Sequence, residues 1–130
     1  MVSAAAMFGS NDIEKAKGFY DDILGVIGVR GILEHGSGGR IYGNAQGLPI
    51  LSVVRPYDGR AATAGNGSMA SLICDSREQV VAIHGRALAL GGRDEGAPGI
   101  RAGGDSGDVY AAYFRDLDGN KICAVHFGQA

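Results

Sequence analysis

One order of elements occurs twice along this chain and limits the folds open to it. A short apolar run comes first, then a helical pattern, then three strand-like pieces separated by glycines. The helical patterns span residues 11–25 and 75–92, and Asp12 and Asp75 near their starts lie 63 residues apart. Few residue identities repeat with the pattern. The sequence therefore predicts a duplicated architecture of two strand–helix–three-strand modules.

Both helical patterns carry a start signal, an apolar stripe and a glycine stop. Asn11 or Asp12 can cap the first helix, and Asp75 is the predicted cap of the second. Gly25 ends the first helix and Gly91 the second. The predicted buried stripes are Ile13, Ala16, Phe19, Tyr20, Ile23 and Leu24 in the first, and Val80, Ile83, Ala87 and Leu90 (or Val81 and Leu88) in the second.

The fold class predicted from this order is α+β, with one domain over residues 1–130. Module one covers about 1–56, a linker about 57–67, and module two about 68–130. A sheet with one helix on one face leaves its other face uncovered, so two such modules side by side form a cupped, incomplete mixed β-barrel. The concave face, or cup, is a ready ligand site.

Composition and charge narrow the function classes. A formal net charge of −2 and the lack of any Lys/Arg cluster give no support to nucleic-acid binding. Apolar runs are too short for a membrane span, and the first ten residues lack the charged region of a signal peptide. Two cysteines, Cys74 and Cys123, are too few for a disulfide framework. We expect a cytoplasmic protein.

The stretches "NDIEKAKGFYDDILG" and "YAAYFRDLDGNKICAVHF" are similar to the first helix and the closing hairpin of the vicinal oxygen chelate superfamily. This superfamily includes glyoxalase I, extradiol dioxygenases and the bleomycin- and fosfomycin-resistance proteins. The middle of the chain resembles a bacterial glyoxalase-like subgroup, so the resemblance covers nearly all of it. It implies the cupped fold derived above and a divalent metal in the cup, held by histidines and glutamates.

The resemblance places the four family ligand positions at residues that cannot hold that metal. They fall at Ala5, Ser52, Met69 and Cys123. The three histidines, His35, His84 and His126, share no spacing that would rebuild the site. We therefore expect no cofactor and no catalytic residue. Met69 and Cys123 could instead be soft ligands for copper or zinc, or apolar filler of a vacated site.

Six residues are the candidates for lining a ligand site in the cup. They are Tyr42, Met69, Tyr110, Tyr113, Cys123 and Arg101. Tyrosines and a methionine suit a small aromatic or amphipathic compound, although core packing is the competing explanation. Tyr110 and Tyr113 lie three residues apart, so a regular strand sends them to opposite faces. Arg93, Arg101 and Asp105 lie in a glycine-rich stretch that reads as a long loop.

The function predicted is metal-free binding of a small molecule, closer to the bleomycin-resistance sequestering proteins than to glyoxalase. One alternative is a metalloenzyme of the lactoylglutathione lyase or dioxygenase type with a rebuilt metal site. Another is a subunit with a filled cup that serves assembly alone. We expect a homodimer, because the sheet edges and faces of such modules pair readily.

Overall fold

A computed structural model describes residues 4–101 and 108–128. Within them lie two helices and eight strands, in the predicted order. Module one contains β1 (Ala6–Gly9), α1 (Ile13–Gly25), β2 (Arg30–Glu34), β3 (Arg40–Gly43) and β4 (Pro49–Val54). Module two contains β5 (Ala70–Ile73), α2 (Arg77–Ala89), β6 (Arg93–Arg101), β7 (Val109–Arg115) and β8 (Lys121–Phe127). Neither helix has the length and hydropathy needed to cross a bilayer.

The strands of the described residues form two open four-stranded sheets, which confirms the predicted α+β class. Sheet 1 has the order β1-β4-β3-β2 and sheet 2 the order β5-β8-β7-β6. In each sheet the first two strands of this order run parallel and the other neighbours antiparallel. The two modules therefore share one topology, as the duplicated sequence pattern predicts.

The helices begin where side chains satisfy their free backbone amides. The Asp12 carboxylate accepts a hydrogen bond from the Lys15 amide at the start of α1. At the start of α2 the cap is Ser76, which accepts from the Gln79 amide. The prediction of Asp75 as this cap was wrong. Asp75 stands one residue earlier, where its own amide donates to the Gln79 side chain.

Both helices pack into a single core that joins the modules. It contains the whole predicted stripe of α1 and, from α2, Val80, Ile83 and Ala87. Phe19 of α1 lies against Phe114 of β7, with ring centroids 6.3 Å apart. Module one therefore buries part of its helix against the sheet of module two. Leu90, also predicted in the stripe, is exposed beyond the end of α2.

The turn between β7 and β8, residues 116–120, ties the modules together with polar contacts. The Asp116 carboxylate accepts hydrogen bonds from the Asp118 and Asn120 amides at 2.9 Å each, which fixes the turn. The Asn120 side chain donates to the carbonyl of Gly9 at 3.1 Å. Asp118 accepts from the Asn11 amide at 2.8 Å. The Asp-Leu-Asp-Gly-Asn sequence thus anchors module two to the end of β1.

Strand β6 lies where the sequence predicted mostly loop. Its pairing with β7 shifts register between Asp94 and Gly96 and again between Gly96 and Gly99. Such irregularities and a proline are tolerated at the edge of a sheet, where no further strand pairs. Pro98 and the glycines conceal the usual strand pattern, which predicts only a short strand near Ile100, so the expectation of a loop was wrong for the rest of residues 93–101. Asp105 lies outside the described residues.

Candidate functional site

Each sheet has one face covered by its helix and one turned away from it, which we call the outer face. In sheet 1, register places Met7, Ser52 and Ile41 side by side on the outer face. Their chain neighbours Leu51 and Val53 lie in the core on the helix side. In sheet 2 the equivalent row is Ser71, Cys123 and Tyr113.

The positions that the family resemblance assigns to metal ligands occupy equivalent places in the two sheets. In sheet 1, Ser52 pairs with the residue two positions after Ala5. In sheet 2, Cys123 pairs with the residue two positions after Met69. The same offset in both modules supports the assignment, because the modules share one topology.

The residues at these positions do not fit a divalent metal. Ala5 offers no donor atom, and the Met69 thioether is soft and neutral. Cys123 offers one sulfur donor, and burial raises the pKa of its thiol, so a metal would have to displace its proton. Within residues 4–101 and 108–128, no three His, Cys, Asp or Glu side chains cluster closely enough to hold a metal.

Polar and cationic groups surround the Cys123 thiol. Burial is the largest influence on its pKa and raises it. Hydrogen bonding with Tyr113 and Ser71 lowers it in part, as do the positive charges of Arg101 and Lys121. The charged groups near the thiol are thus cationic, and burial opposes its ionisation, which disfavours a strong nucleophile.

Tyr113 lies close to two cations on the outer face of sheet 2. The guanidinium carbon of Arg101 is 5.4 Å from its ring centroid, and the Lys121 ammonium is 5.5 Å from it. These distances are within the range of cation–π attraction. The Arg101 guanidinium also donates to the carbonyl of Ala97 at 2.6 Å, which fixes its position along β6.

Two glycines of β6 make room for this arrangement. A Cβ atom at Gly96 would lie 3.1 Å from the Tyr113 ring and 3.3 Å from the Arg101 guanidinium. One at Gly99 would lie 3.0 Å from the same guanidinium. Glycines in this stretch therefore let the arginine lie along the strand towards Tyr113.

The structure brings together three of the six predicted lining residues, Tyr113, Cys123 and Arg101. Met69 lies one position before β5 and is exposed. Tyr42 lies elsewhere: it is fully buried under α1 and donates to the Asp21 carboxylate at 2.8 Å. Tyr110 lies on the helix side of sheet 2, with the Arg77 guanidinium 4.9 Å from its ring centroid. The expectation that Tyr110 and Tyr113 take opposite faces is confirmed.

Sequence reasoning missed two members of this cluster, Ser71 and Lys121. Strand alternation could have found both, because Lys121 stands two residues before Cys123 and Ser71 two after Met69. The histidines lie apart from the cluster, as expected. His126 hydrogen-bonds the Cys74 carbonyl on the opposite face, and His84 contacts Asp94 at 2.9 Å.

Two cavities bear on the site. The larger, about 900 Å³, is a groove on the helix side between α1, the end of α2 and the β7–β8 turn, with Phe19 and Leu117 in its walls. The smaller, about 150 Å³, lies between the modules and is lined by Met7 from β1 and Lys121 from β8, among others. Lys121 therefore belongs both to this cavity and to the Tyr113 cluster.

Comparison with known proteins identifies the family. The family model described as the Glyoxalase/Bleomycin resistance protein/Dioxygenase superfamily matches residues 4–124. The chain belongs to this superfamily. Its vicinal oxygen chelate architecture agrees with the two modules described above. No protein with a curated description matches the chain.

Solved structures of the glyoxalase/bleomycin resistance superfamily resemble this member closely. A glyoxalase/bleomycin resistance protein from Albidiferax ferrireducens T118 is 38% identical, with a TM-score of 0.84 and coverage of 97% of this chain and 98% of that one. A hypothetical protein from S. aureus is 21% identical, with a TM-score of 0.68 and 97% of each chain covered. A lactoylglutathione lyase from Agrobacterium tumefaciens is 17% identical, with a TM-score of 0.65 over 96% and 93% of the two chains. The last two share the fold alone.

Proposed function

We propose that this glyoxalase-superfamily protein binds a small organic molecule on the outer face of sheet 2 without a metal. The observation that carries the proposal is the cluster around Tyr113, in which Arg101, Lys121 and Ser71 lie near the Cys123 thiol, itself at one of the family's ligand positions. An aromatic ring, two cations and a hydroxyl are groups that orient a ligand. The donor set favours binding over metal-assisted chemistry.

Ligand binding also agrees with the protonation state of the cluster. A nucleophilic cysteine needs a depressed pKa, and that of Cys123 is raised by burial. Tyr113 and Lys121 can hold and orient a bound molecule, and the groups that hydrogen-bond the thiol, Tyr113 and Ser71, are hydroxyls. The proposed role is therefore recognition and retention of a ligand.

We further propose that the protein acts as a homodimer in the cytoplasm. Strands β1 and β5 are sheet edges, and each carries an exposed apolar residue, Met7 at 59% and Ile73 at 58%. Edge strands with such side chains are ready to pair with another chain. A second copy could then complete the cup around the cluster. The two free, buried cysteines suit a reducing compartment.

A fragment screen followed by backbone amide NMR tests the proposal. We expect binding compounds to shift the amide signals of Ser71, Tyr113 and Cys123, and Tyr113→Ala to abolish these shifts. The matched control is Tyr57→Ala, since Tyr57 is fully exposed between β4 and β5. Shifts confined to Phe19 and Leu117 would place the ligand in the helix-side groove instead and refute the proposal.

A further inference from the structure

Among the described residues, most charged side chains on the outer face of sheet 2 are cationic. Lys121 and Arg115 pair across β8 and β7, and Arg93 pairs with Arg115 across β6, so all three share this face. Arg101 reaches it through its contact with Tyr113. Glu95 of β6 contributes a carboxylate near Arg115 and Arg93. The face therefore carries a local positive charge on a chain whose formal net charge is −2.

Glu95 is engaged at one end of this face. Its carboxylate lies 2.6 Å from Nε of Arg115 and 3.9 Å from the Arg93 guanidinium. Within residues 4–101 and 108–128, neither Lys121 nor Arg101 forms an ion pair. On this face, Lys121 and Arg101 are therefore the cations available to bind an anionic group of a ligand.

A cavity beside Lys121 has the size of a small chemical group. Its volume of about 150 Å³ is below the range of roughly 300–1,000 Å³ for sites that enclose a drug-sized ligand. Thr63 and Ser68 line it together with Lys121, and Met7 adds an apolar side chain. Hydroxyls and an ammonium at this scale match a carboxylate or phosphate group.

We propose that the ligand of this site is a small organic anion. Its acid group is held by Lys121, between the cavity and Arg101, and its apolar part contacts Met7. Methionine side chains adapt to apolar groups of varied shape. The inference rests on the proposed function, because it names the chemical class bound at the same cluster.

Benzoate, benzamide and benzylamine are the probes for this inference, since they share a ring and differ in charge. We expect benzoate alone to shift the Ser71, Tyr113 and Cys123 amide signals. Raising NaCl from about 50 to about 300 mM should weaken its binding, because exposed charges are screened. Lys121→Gln and Arg101→Gln should each weaken it about tenfold, the value of one charge-assisted hydrogen bond. Arg30→Gln, at an exposed arginine on β2, is the matched control.

The outcomes separate this inference from the proposed function. Equal binding of all three probes at the cluster, or preference for benzylamine, would overturn the anionic class and leave small-molecule binding in place. Benzoate binding that Lys121→Gln and Arg101→Gln leave unchanged would also overturn it. If none of the probes shifts the cluster while other fragments do, the anion assignment fails alone. If no fragment at all shifts it, both proposals fail.

Discussion

The Tyr20 hydroxyl donates a hydrogen bond of 2.5 Å to the Asp116 carboxylate, and both groups are buried. Tyr20 belongs to α1 in module one and Asp116 to the turn after β7 in module two. Asn120 donates to the same carboxylate at 2.9 Å and also reaches the carbonyl of Gly9. One buried carboxylate thus organises the turn and holds the two modules in place.

Removing the Tyr20 hydroxyl should destabilise the fold. Tyr20→Phe leaves the Asp116 carboxylate short of one donor in a buried place, which typically costs about 1–3 kcal/mol of unfolding free energy. Urea denaturation followed by circular dichroism measures this loss. Tyr57→Phe, which removes an exposed hydroxyl, should change the unfolding free energy by less than about 0.5 kcal/mol. Equal effects of the two substitutions would contradict this account.

Stability should fall as the pH rises above about 10, where an exposed tyrosine loses its proton. Burial raises the pKa of Tyr20 well above that value, and burial also raises the pKa of Tyr42. The folded protein therefore keeps two protons that the unfolded chain releases, and stability decreases with pH by up to about 1.4 kcal/mol per pH unit for each tyrosine. Urea titrations at a series of pH values should show a shallower decrease for Tyr42→Phe than for the wild type and Tyr57→Phe.

Both thiols should react slowly in the folded protein. Burial raises the pKa of Cys74 to about 11, and burial also raises that of Cys123. Only the thiolate is alkylated, so iodoacetamide at pH 8 should modify both cysteines much more slowly than in urea. Mass spectrometry of timed samples gives the two rates. Rapid alkylation of native Cys123 would instead indicate an activated nucleophile in the cluster.

The protein should retain fewer than about 0.1 divalent ions per chain when it is exposed to manganese, iron, nickel or zinc and then dialysed. The reason is that the family's ligand positions lack carboxylate and imidazole groups. Elemental mass spectrometry measures the content. Cys123→Ala should leave it unchanged. One equivalent of a metal that is lost in Cys123→Ala and in Met69→Ala would mean that these soft side chains have rebuilt a site.

The edges at β1 and β5 should mediate self-association. Ile73→Lys places a charge on an exposed edge residue and should shift a dimer to monomer, since burying an unpaired charge at an interface is costly. Val81→Lys, on the exposed face of α2, is the control and should leave the dimer intact. Sedimentation velocity distinguishes the two species. A monomeric wild-type protein would refute the dimer proposal directly.

Sequence patterns predicted the architecture well because its signals are local. Apolar residues at helical spacing, such as Phe19 and Ile83, face the core as expected. Most of strand β6 escaped prediction, apart from a short piece near Ile100, since Gly96, Pro98 and Gly99 carry loop signals. Those glycines serve a contact with Arg101 and Tyr113, which depends on β6 and β7 being neighbours.

The site was predicted only in part, because side-chain direction depends on register. Tyr42 was a candidate for the cup, yet its pairing with Leu51 turns it towards α1. Cys123, aligned through the turn that precedes β8, pairs with Tyr113 on the outer face of sheet 2. Lys121, its neighbour on the same face, was not among the predicted lining residues. A lone lysine beside a turn is usually exposed to solvent, so its sequence position alone does not indicate a binding role.

The single core under both helices has a consequence for the ancestry of this chain. A free half of the duplicated pattern would expose the face of α1 that now meets Phe114, and the Tyr20 hydroxyl would have no partner. A half-length chain would therefore need to associate with a second copy of itself to be stable. Residues 55–69, which carry no helix or strand, are the place where cleavage should leave two fragments that remain bound to each other as a complementing pair.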